Sequence, residues 1–313
     1  MNQDTRIYIA GCGGMLGAAV YRQFSAVASV EATDIDVNES WLTFGDVRDY
    51  DAIRESVLNF RPALIVNLAA HTDMEYCERN AQDAWLTNAF GSENLAVVAN
   101  ELNVPYVYIS TAGIFGGEKA EFNDYDDPLP LSVYAKSKYA GERFVREHVS
   151  RFYVVRAGWM MGGGPRKDKK FVNKIYKQLA AGARELFAVD DKAGTPSYTE
   201  DFARGLLALV QSGRYGVYNQ VCEGSASRYD VAVELVRCLG LQDQVKVTPV
   251  SSEWFKSEYF APRPASERLV CLKLRALGLY LMRHWKVSLA EYAGQFPPLC
   301  SAANATRTKG SAV

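Results

Sequence analysis

The sequence predicts an α/β fold: a doubly wound parallel sheet followed by a smaller, mostly helical substrate-binding part. Three observations carry this. Short apolar runs alternate with amphipathic stretches through the first half, a glycine cluster follows the first run, and the pattern changes after Trp159.

The strands are expected at 6–10, 30–33, 64–68, 106–110 and 152–156, where apolar, β-branched and aromatic residues cluster. Between them, segments 15–25, 50–59, 81–102 and 134–148 carry the spacing of amphipathic helices. A parallel sheet built this way binds its ligand outside the carboxyl ends of its strands. After Trp159, Gly162-Gly163-Gly164-Pro165 is a turn cluster, and the basic run Arg166 to Lys170 reads as a mobile loop. A helix at 171–181 follows. The helix at 201–211 and the strand at 216–221 then return to the main sheet. Residues 1–160 with about 201–222 are thus expected to form the nucleotide-binding domain, and about 161–200 with 223–300 the second domain. The small, polar segment 301–313 reads as a disordered tail.

Bulk composition narrows the function. With 35 basic and 36 acidic residues the formal net charge is -1, so neither nucleic acid nor an anionic membrane is an expected partner. No run reaches the roughly 18 apolar residues of a membrane span, and the N-terminus lacks a secretory stretch, which points to a soluble, cytoplasmic protein. The six cysteines are scattered without a Cys-x-x-Cys pair and there are only three histidines. Reduced thiols and no metal site are therefore expected.

The first chemical motif is Gly11-Cys12-Gly13-Gly14-Met15-Leu16-Gly17, between a strand and a helix. Glycines at 11, 14 and 17 allow a tight turn, close approach of a diphosphate, and close helix packing, so a dinucleotide is the expected ligand. Asp34 ends the second strand, where a carboxylate accepts from ribose hydroxyls and repels a 2'-phosphate. This favours NADH over NADPH, with Asp36 as the alternative occupant of that position. In Gly45-Asp46-Val47, Asp46 either receives the adenine amino group or serves as a turn or helix cap.

The second motif is Tyr134-Ala135-Lys136-Ser137-Lys138, which sets a phenol and an ammonium four residues apart on one helix face. An ammonium stabilises a phenolate and brings a pKa of about 10 towards the working range. The strand Tyr106-Val107-Tyr108-Ile109-Ser110-Thr111 ends in hydroxyls that can hydrogen-bond a substrate carbonyl. Thr111, Tyr134 and Lys138 are the expected catalytic residues.

Together with Asn67-Leu68-Ala69-Ala70-His71-Thr72 and Asn88, these motifs resemble the extended short-chain dehydrogenase/reductases, whose fold is of Rossmann type. The match is closest to the dTDP-4-dehydrorhamnose reductase family of sugar-nucleotide reductases. It continues through Asp191 to Tyr198, Asp201-Phe202-Ala203, Glu223-Gly224-Ser225 and Ala261-Pro262-Arg263-Pro264, covering roughly residues 6–293. The resemblance implies reduction by NADH or NADPH of the C4 keto group of a nucleoside-diphosphate 4-keto-6-deoxyhexose. Tyr134 would protonate the oxygen, Thr111 would polarise the carbonyl, and Lys138 would hold the nicotinamide ribose. It also implies cofactor contacts from Gly11, Gly14, Met15, Leu16, Gly17, Asp34, Asp46, Val47, Ala69, Ala70 and Asn88. Substrate contacts would come from Thr72, Trp159 and Arg263, with Trp159 against the hexose and Arg263 on the diphosphate. For Trp159 a core role, and for Arg263 a solvated one, stay open as alternatives.

Ala112-Gly113 stands where the rhamnose-pathway reductases carry Asp-Tyr, side chains that would border the sugar. The 4,6-dehydratases need Asp-Glu at this place and the fucose-route epimerase/reductases a Cys, so neither chemistry is expected. A sugar-nucleotide 4-epimerase and a non-catalytic regulatory subunit on the same fold remain as alternative functions. A homodimer is compatible with the sequence.

Overall fold

In a computed structural model, which describes residues 4–299, the chain builds a seven-stranded parallel sheet with helices on both faces. The strands are β1 (Arg6–Ala10), β2 (Ser29–Asp34), β3 (Leu42–Phe44), β4 (Leu64–Asn67), β5 (Tyr106–Thr111) and β6 (Phe152–Ala157). The short β7 (Trp159–Met161), β8 (Glu185–Val189), β9 (Ala193–Gly194) and β10 (Pro196–Tyr198) come next, then β11 (Gly216–Asn219), which completes the main sheet. The sheet order is β11-β6-β5-β4-β1-β2-β3, so the winding reverses between β1 and β4. In sheets wound this way, that reversal is where a ligand crevice forms beyond the strand ends.

Burial explains why these segments are strands. Ile7, Ile9, Val66, Val107 and Val155 fill one side of the sheet, while Tyr8, Ala10, Ile65, Tyr106, Tyr108 and Val154 fill the other. Apolar residues on both faces are what a sheet covered on both sides requires. All five expected strands are present. The added β3 is a three-residue edge strand with two exposed residues, too short to leave a periodic signal.

The helices include α1 (Gly17–Ser25), α2 (Tyr50–Phe60), α3 (Met74–Arg79), α4 (Ala81–Trp85), α5 (Gly91–Glu101) and α6 (Val133–His148). The single helix expected over 81–102 is instead interrupted by a π-helical turn at Leu86–Phe90. Such turns interrupt the regular ladder and redirect side chains; this one aims Asn88 inwards, where it is fully buried. Helix α6 begins where Ser132 Oγ accepts from the Ala135 N–H at 3.1 Å.

Beyond β6 the basic run is pinned rather than loose. Its α7 (Gly164–Lys167) brings Arg166 and Lys167 to Glu39, and Lys170 Nζ donates to Thr72 O and Oγ1 at 2.8 and 3.0 Å. Acidic and polar partners across the cleft give the positive run a place to settle. The later part combines α8 (Phe171–Ala180), α9 (Thr199–Ser212), α10 (Arg228–Cys238), α11 (Leu272–Ala276) and α12 (Trp285–Ala293) with short strands β12 (Ala226–Ser227), β13 (Lys246–Val250) and β14 (Ser266–Glu267). β13 pairs with β8, and β12 and β14 flank β9. The tail expected at 301–313 lies outside the described residues, as does Cys300; the other five cysteines carry free thiols. Among the described residues no helix is long and apolar enough to cross a membrane.

Under the carboxyl end of β5, Glu142 and Arg156 form a buried ion pair at 2.6 Å, and Ser110 Oγ donates to Glu142 at 2.6 Å. Removing one partner strands a buried charge, a loss of about 3–5 kcal/mol. Glu142→Ala should therefore lower the denaturant midpoint sharply, whereas Glu101→Ala, which breaks the exposed pair with Arg54, should barely move it.

Candidate active site

The glycine loop sits at the winding reversal. Gly11 adopts φ +75°, and a Cβ there would lie 2.2 Å from Ala69 N, so only glycine lets the turns after β1 and β4 touch. Gly17 is as restricted, since its Cβ would meet Cys12 O at 1.7 Å. Gly14 differs: its nearest neighbour would be 3.9 Å away, and the first turn of α1 has no side-chain cap. That leaves open backbone N–H groups at a helix N-terminus, the arrangement that receives a diphosphate. Met15 packs against the place where Gly163 lacks a side chain, and Leu16 occupies the N-cap position of α1.

Asp34, rather than Asp36, faces this loop. Its Oδ2 accepts from Gly13 N at 2.8 Å and its Oδ1 from Asp36 N at 2.9 Å, while Asp36 turns to Asn38. The sequence reading passed over Gly13, which must lack a side chain because a Cβ would meet Asp34 Cγ at 2.9 Å. Asp46 is engaged by its own turn. Both its oxygens are taken by the Arg48 guanidinium, Nη2 to Oδ2 at 2.6 Å, and this neighbour holds the carboxyl below its usual range. Arg48 also donates its N–H to Asp46 Oδ1, closing the turn. Val47 is buried, and its carbonyl accepts from Asn94 at 2.9 Å.

Ala69 N donates to Asn67 Oδ1 at 2.9 Å, and the small pair Ala69-Ala70 borders the crevice beyond β4. Asn88 holds the next turn: its Oδ1 accepts from His71 N at 2.8 Å, while its Nδ2 donates to His71 O at 3.1 Å and to Ser137 Oγ at 3.0 Å. It thereby ties the loop after β4 to helix α6.

Thr111 ends β5, with its hydroxyl near enough to the Tyr134 phenol to favour the phenolate. The same Oγ1 accepts from Gly113 N at 3.1 Å. Desolvation pushes the Tyr134 phenol up to about 12, with the Thr111 hydroxyl opposing. Burial draws the Lys138 ammonium down to about 7, with Glu142 opposing. Burial penalises phenolate and ammonium alike, so both groups lean towards their neutral forms. Tyr108 grips Lys138 at two points: its hydroxyl donates to Lys138 O at 2.8 Å, and the ammonium lies 4.2 Å from its ring centroid.

The expected substrate residues are present but already partnered. Thr72 receives Lys170. Arg263 pairs with Glu75 at 2.8 Å instead of standing free for a diphosphate, which gives its charge a counterion. Trp159 does not offer an open ring face: the Arg228 guanidinium lies 3.8 Å from a ring centroid, and the indole N–H donates to Glu267 Oε2 at 2.5 Å. Glu267 and Arg228 carry no local sequence signal, since they reach the site from distant strands and helices. Glu142 does carry one, four residues beyond Lys138 on the same helix face.

Comparison with known proteins agrees with this architecture. The chain is 33% identical over 296 residues to a dTDP-4-dehydrorhamnose reductase of Mycobacterium tuberculosis, covering 92% of each. It is 31% identical to the spore coat polysaccharide biosynthesis protein SpsK of Bacillus subtilis, covering 95% of this chain and 99% of that one. A crystal structure of dTDP-4-dehydrorhamnose reductase from Bacillus anthracis in complex with NADP superposes with a TM-score of 0.85 at 27% identity, covering 95% of this chain and 100% of the other. The family described as RmlD substrate binding domain matches residues 5–297. By that match, over nearly its whole length, the chain belongs to the RmlD substrate binding domain family.

Proposed function

We propose that the chain is an NAD(P)H-dependent oxidoreductase that reduces the C4 keto group of a nucleoside-diphosphate 4-keto-6-deoxyhexose in deoxysugar biosynthesis. The observation that carries this reading is the placement of Thr111 at the end of β5 near the Tyr134 phenol, with Lys138 four residues further along α6. The names of the relatives support a reductase over a 4-epimerase or a regulatory subunit. The complex of the Bacillus anthracis relative supports a nicotinamide cofactor.

The residues present fit such a dinucleotide. Gly14 and the open first turn of α1 would hold its diphosphate, Asp34 its adenosine ribose, and Ala69 and Ala70 would allow close approach. Asp34 would repel a 2'-phosphate, so NADH is the proposed preference. The bound cofactor supplies the hydride. This chain's residues then manage the oxygen: as the carbonyl pair moves onto oxygen, Thr111 donates a hydrogen bond to it and Tyr134 delivers its proton. Lys138 sits four residues along α6, where it can hold the nicotinamide ribose and return a proton to the phenolate. Segments 161–200 and 223 onward are proposed to bind the nucleotide sugar. The balanced charge favours an enzyme without a nucleic-acid partner, and a cytoplasmic location is proposed.

Two outcomes follow from these roles. Tyr134→Phe should cut turnover about 10²- to 10⁴-fold while cofactor affinity stays nearly the same, measured by oxidation of the reduced nicotinamide with a 4-keto-6-deoxyhexose nucleotide. An active Phe variant would sink the assignment. The second outcome is a pH profile. Lys138 is protonated below about 7 and loses its charge above it, whereas Tyr134, near 12, keeps its proton throughout. kcat/KM for the reduced cofactor, which reports the free enzyme, should fall as pH rises through about 7, and Lys138→Met should flatten that profile.

A further inference from the structure

Glu267 reaches the reaction centre from the second half of the chain on a rigid mount. β14 pairs with β9, placing Glu267 opposite Gly194, while Leu269 N donates to Thr195 Oγ1 at 3.1 Å and Ser266 Oγ donates to Ala120 O. Because Gly194 has no side chain, the Trp159 indole can lie against it; a Cβ would meet the ring at 2.3 Å. The indole N–H then holds Glu267 Oε2 at 2.5 Å.

The other oxygen, Oε1, receives no hydrogen bond from the chain among the described residues. It lies 3.3 Å from the point where Gly113 would carry a Cβ, and that same point is 3.4 Å from Thr111 Oγ1 and 3.7 Å from Tyr134 Cε1. Gly113 has no positive φ, so what its missing side chain provides is space between the carboxylate and the Thr111–Tyr134 pair. Arg228, stacked on Trp159, forms no ion pair among the described residues and supplies a nearby positive charge. Burial pulls its pKa to about 10, with Glu267 acting against that.

We propose that Glu267 is a specificity-determining residue for the sugar: its free oxygen accepts a hydrogen bond from the hydroxyl on the carbon next to the one reduced. In a 6-deoxyhexopyranose with a C4 ketone that hydroxyl is on C3, since C5 carries the methyl group and the ring oxygen. A substrate lacking it leaves the carboxylate desolvated and unpaired, so the site selects 3-hydroxy over 3-deoxy sugars. The inference rests on the reductase reading above. Hydrogen bonds to charged groups are worth roughly a 10- to 100-fold preference.

The test uses the full chain, reduced nicotinamide, and dTDP-4-keto-6-deoxyhexose beside its 3-deoxy counterpart. Wild type should favour the 3-hydroxy sugar roughly 10- to 100-fold in kcat/KM. Glu267→Ala should bring that ratio towards one, and Glu267→Gln, which keeps an uncharged acceptor, should fall between. A wild type that does not discriminate, or an Ala variant that loses both substrates by the same factor, overturns the proposal. If Glu267→Ala does not fold, Gly113→Ala, which fills the same gap, should lower the ratio instead, and an unchanged ratio there is also fatal. If wild type reduces neither sugar, the reductase reading fails first. Calorimetric affinities for the corresponding 4-hydroxy nucleotide sugars then decide the matter: a preference for the 3-hydroxy ligand upholds Glu267's role, and equal or absent binding overturns it.

Discussion

How closely helix α6 approaches the π-helical turn and β5 sets everything at the reaction centre. A Cβ on Gly141 would lie 2.8 Å from both Asn88 O and the Tyr108 hydroxyl, so glycine is what lets the helix seat there. Asn88 then reaches Ser137, and the Tyr108 hydroxyl reaches Lys138 O. These contacts fix the rotation of α6 about its axis, because Ser137, Lys138 and Gly141 share one face. Once that rotation is fixed, Tyr134, one turn earlier than Lys138, has only the end of β5 to face. Catalytic geometry is here a consequence of backbone packing, and the polar atoms that enforce it are fully satisfied and buried, as such networks must be.

The same packing sets the electrostatics. Below Lys138, Glu142 is shared between a lysine and the buried Arg156, which takes it with two nitrogens. Arg146 adds a third cation at 3.6 Å, and cations that share one carboxylate in a region of low dielectric are not equally compensated. Arginine, with its forked guanidinium, keeps the better geometry, and the lysine, with only the Tyr108 ring face close by, holds its proton loosely. A lysine poised near neutrality can pass a proton to a phenolate and recover it from solvent. Had Arg156 been apolar, Glu142 would have held the lysine's proton more firmly.

Much of this was legible in the residues, for reasons that can be named. The central strands are long enough, and buried enough on both faces, to show as apolar runs, and β1 is found with the bounds expected for it. The glycine loop and the Tyr134/Lys138 pair lie within short stretches of chain, so spacing alone reveals them. What composition and spacing do not carry is the direction in which a side chain points, or a partner far along the chain. The π-helical turn keeps the composition of an ordinary helix, because its extra residue changes the direction of Asn88 and not the residue types around it. Arg48 stands two residues from Asp46, yet nothing in that spacing says that the guanidinium takes both oxygens. Trp159 was visible as a large aromatic at a boundary, but its partners, Arg228 and Glu267, lie 69 and 108 positions further along the chain.

The contacts across the cleft also explain why the expected diphosphate residue is found in an ion pair. Arg263 and Glu75 are both partly solvated, and a pair of that kind adds little net stability, because each group gives up hydration to make it. Exchanging one anionic partner for another therefore loses little, and a diphosphate presents more charge and more acceptor oxygens to a guanidinium than one carboxylate does. Lys170 on Thr72 and Arg166 on Glu39 are likewise polar contacts between these two parts of the chain. By contrast, the groups proposed to touch the reacting oxygen sit on the buried ends of β5 and α6. On the proposed function, the chain thus keeps its exchangeable contacts on the nucleotide's side of the cleft and its rigid ones where hydride and proton would meet the sugar.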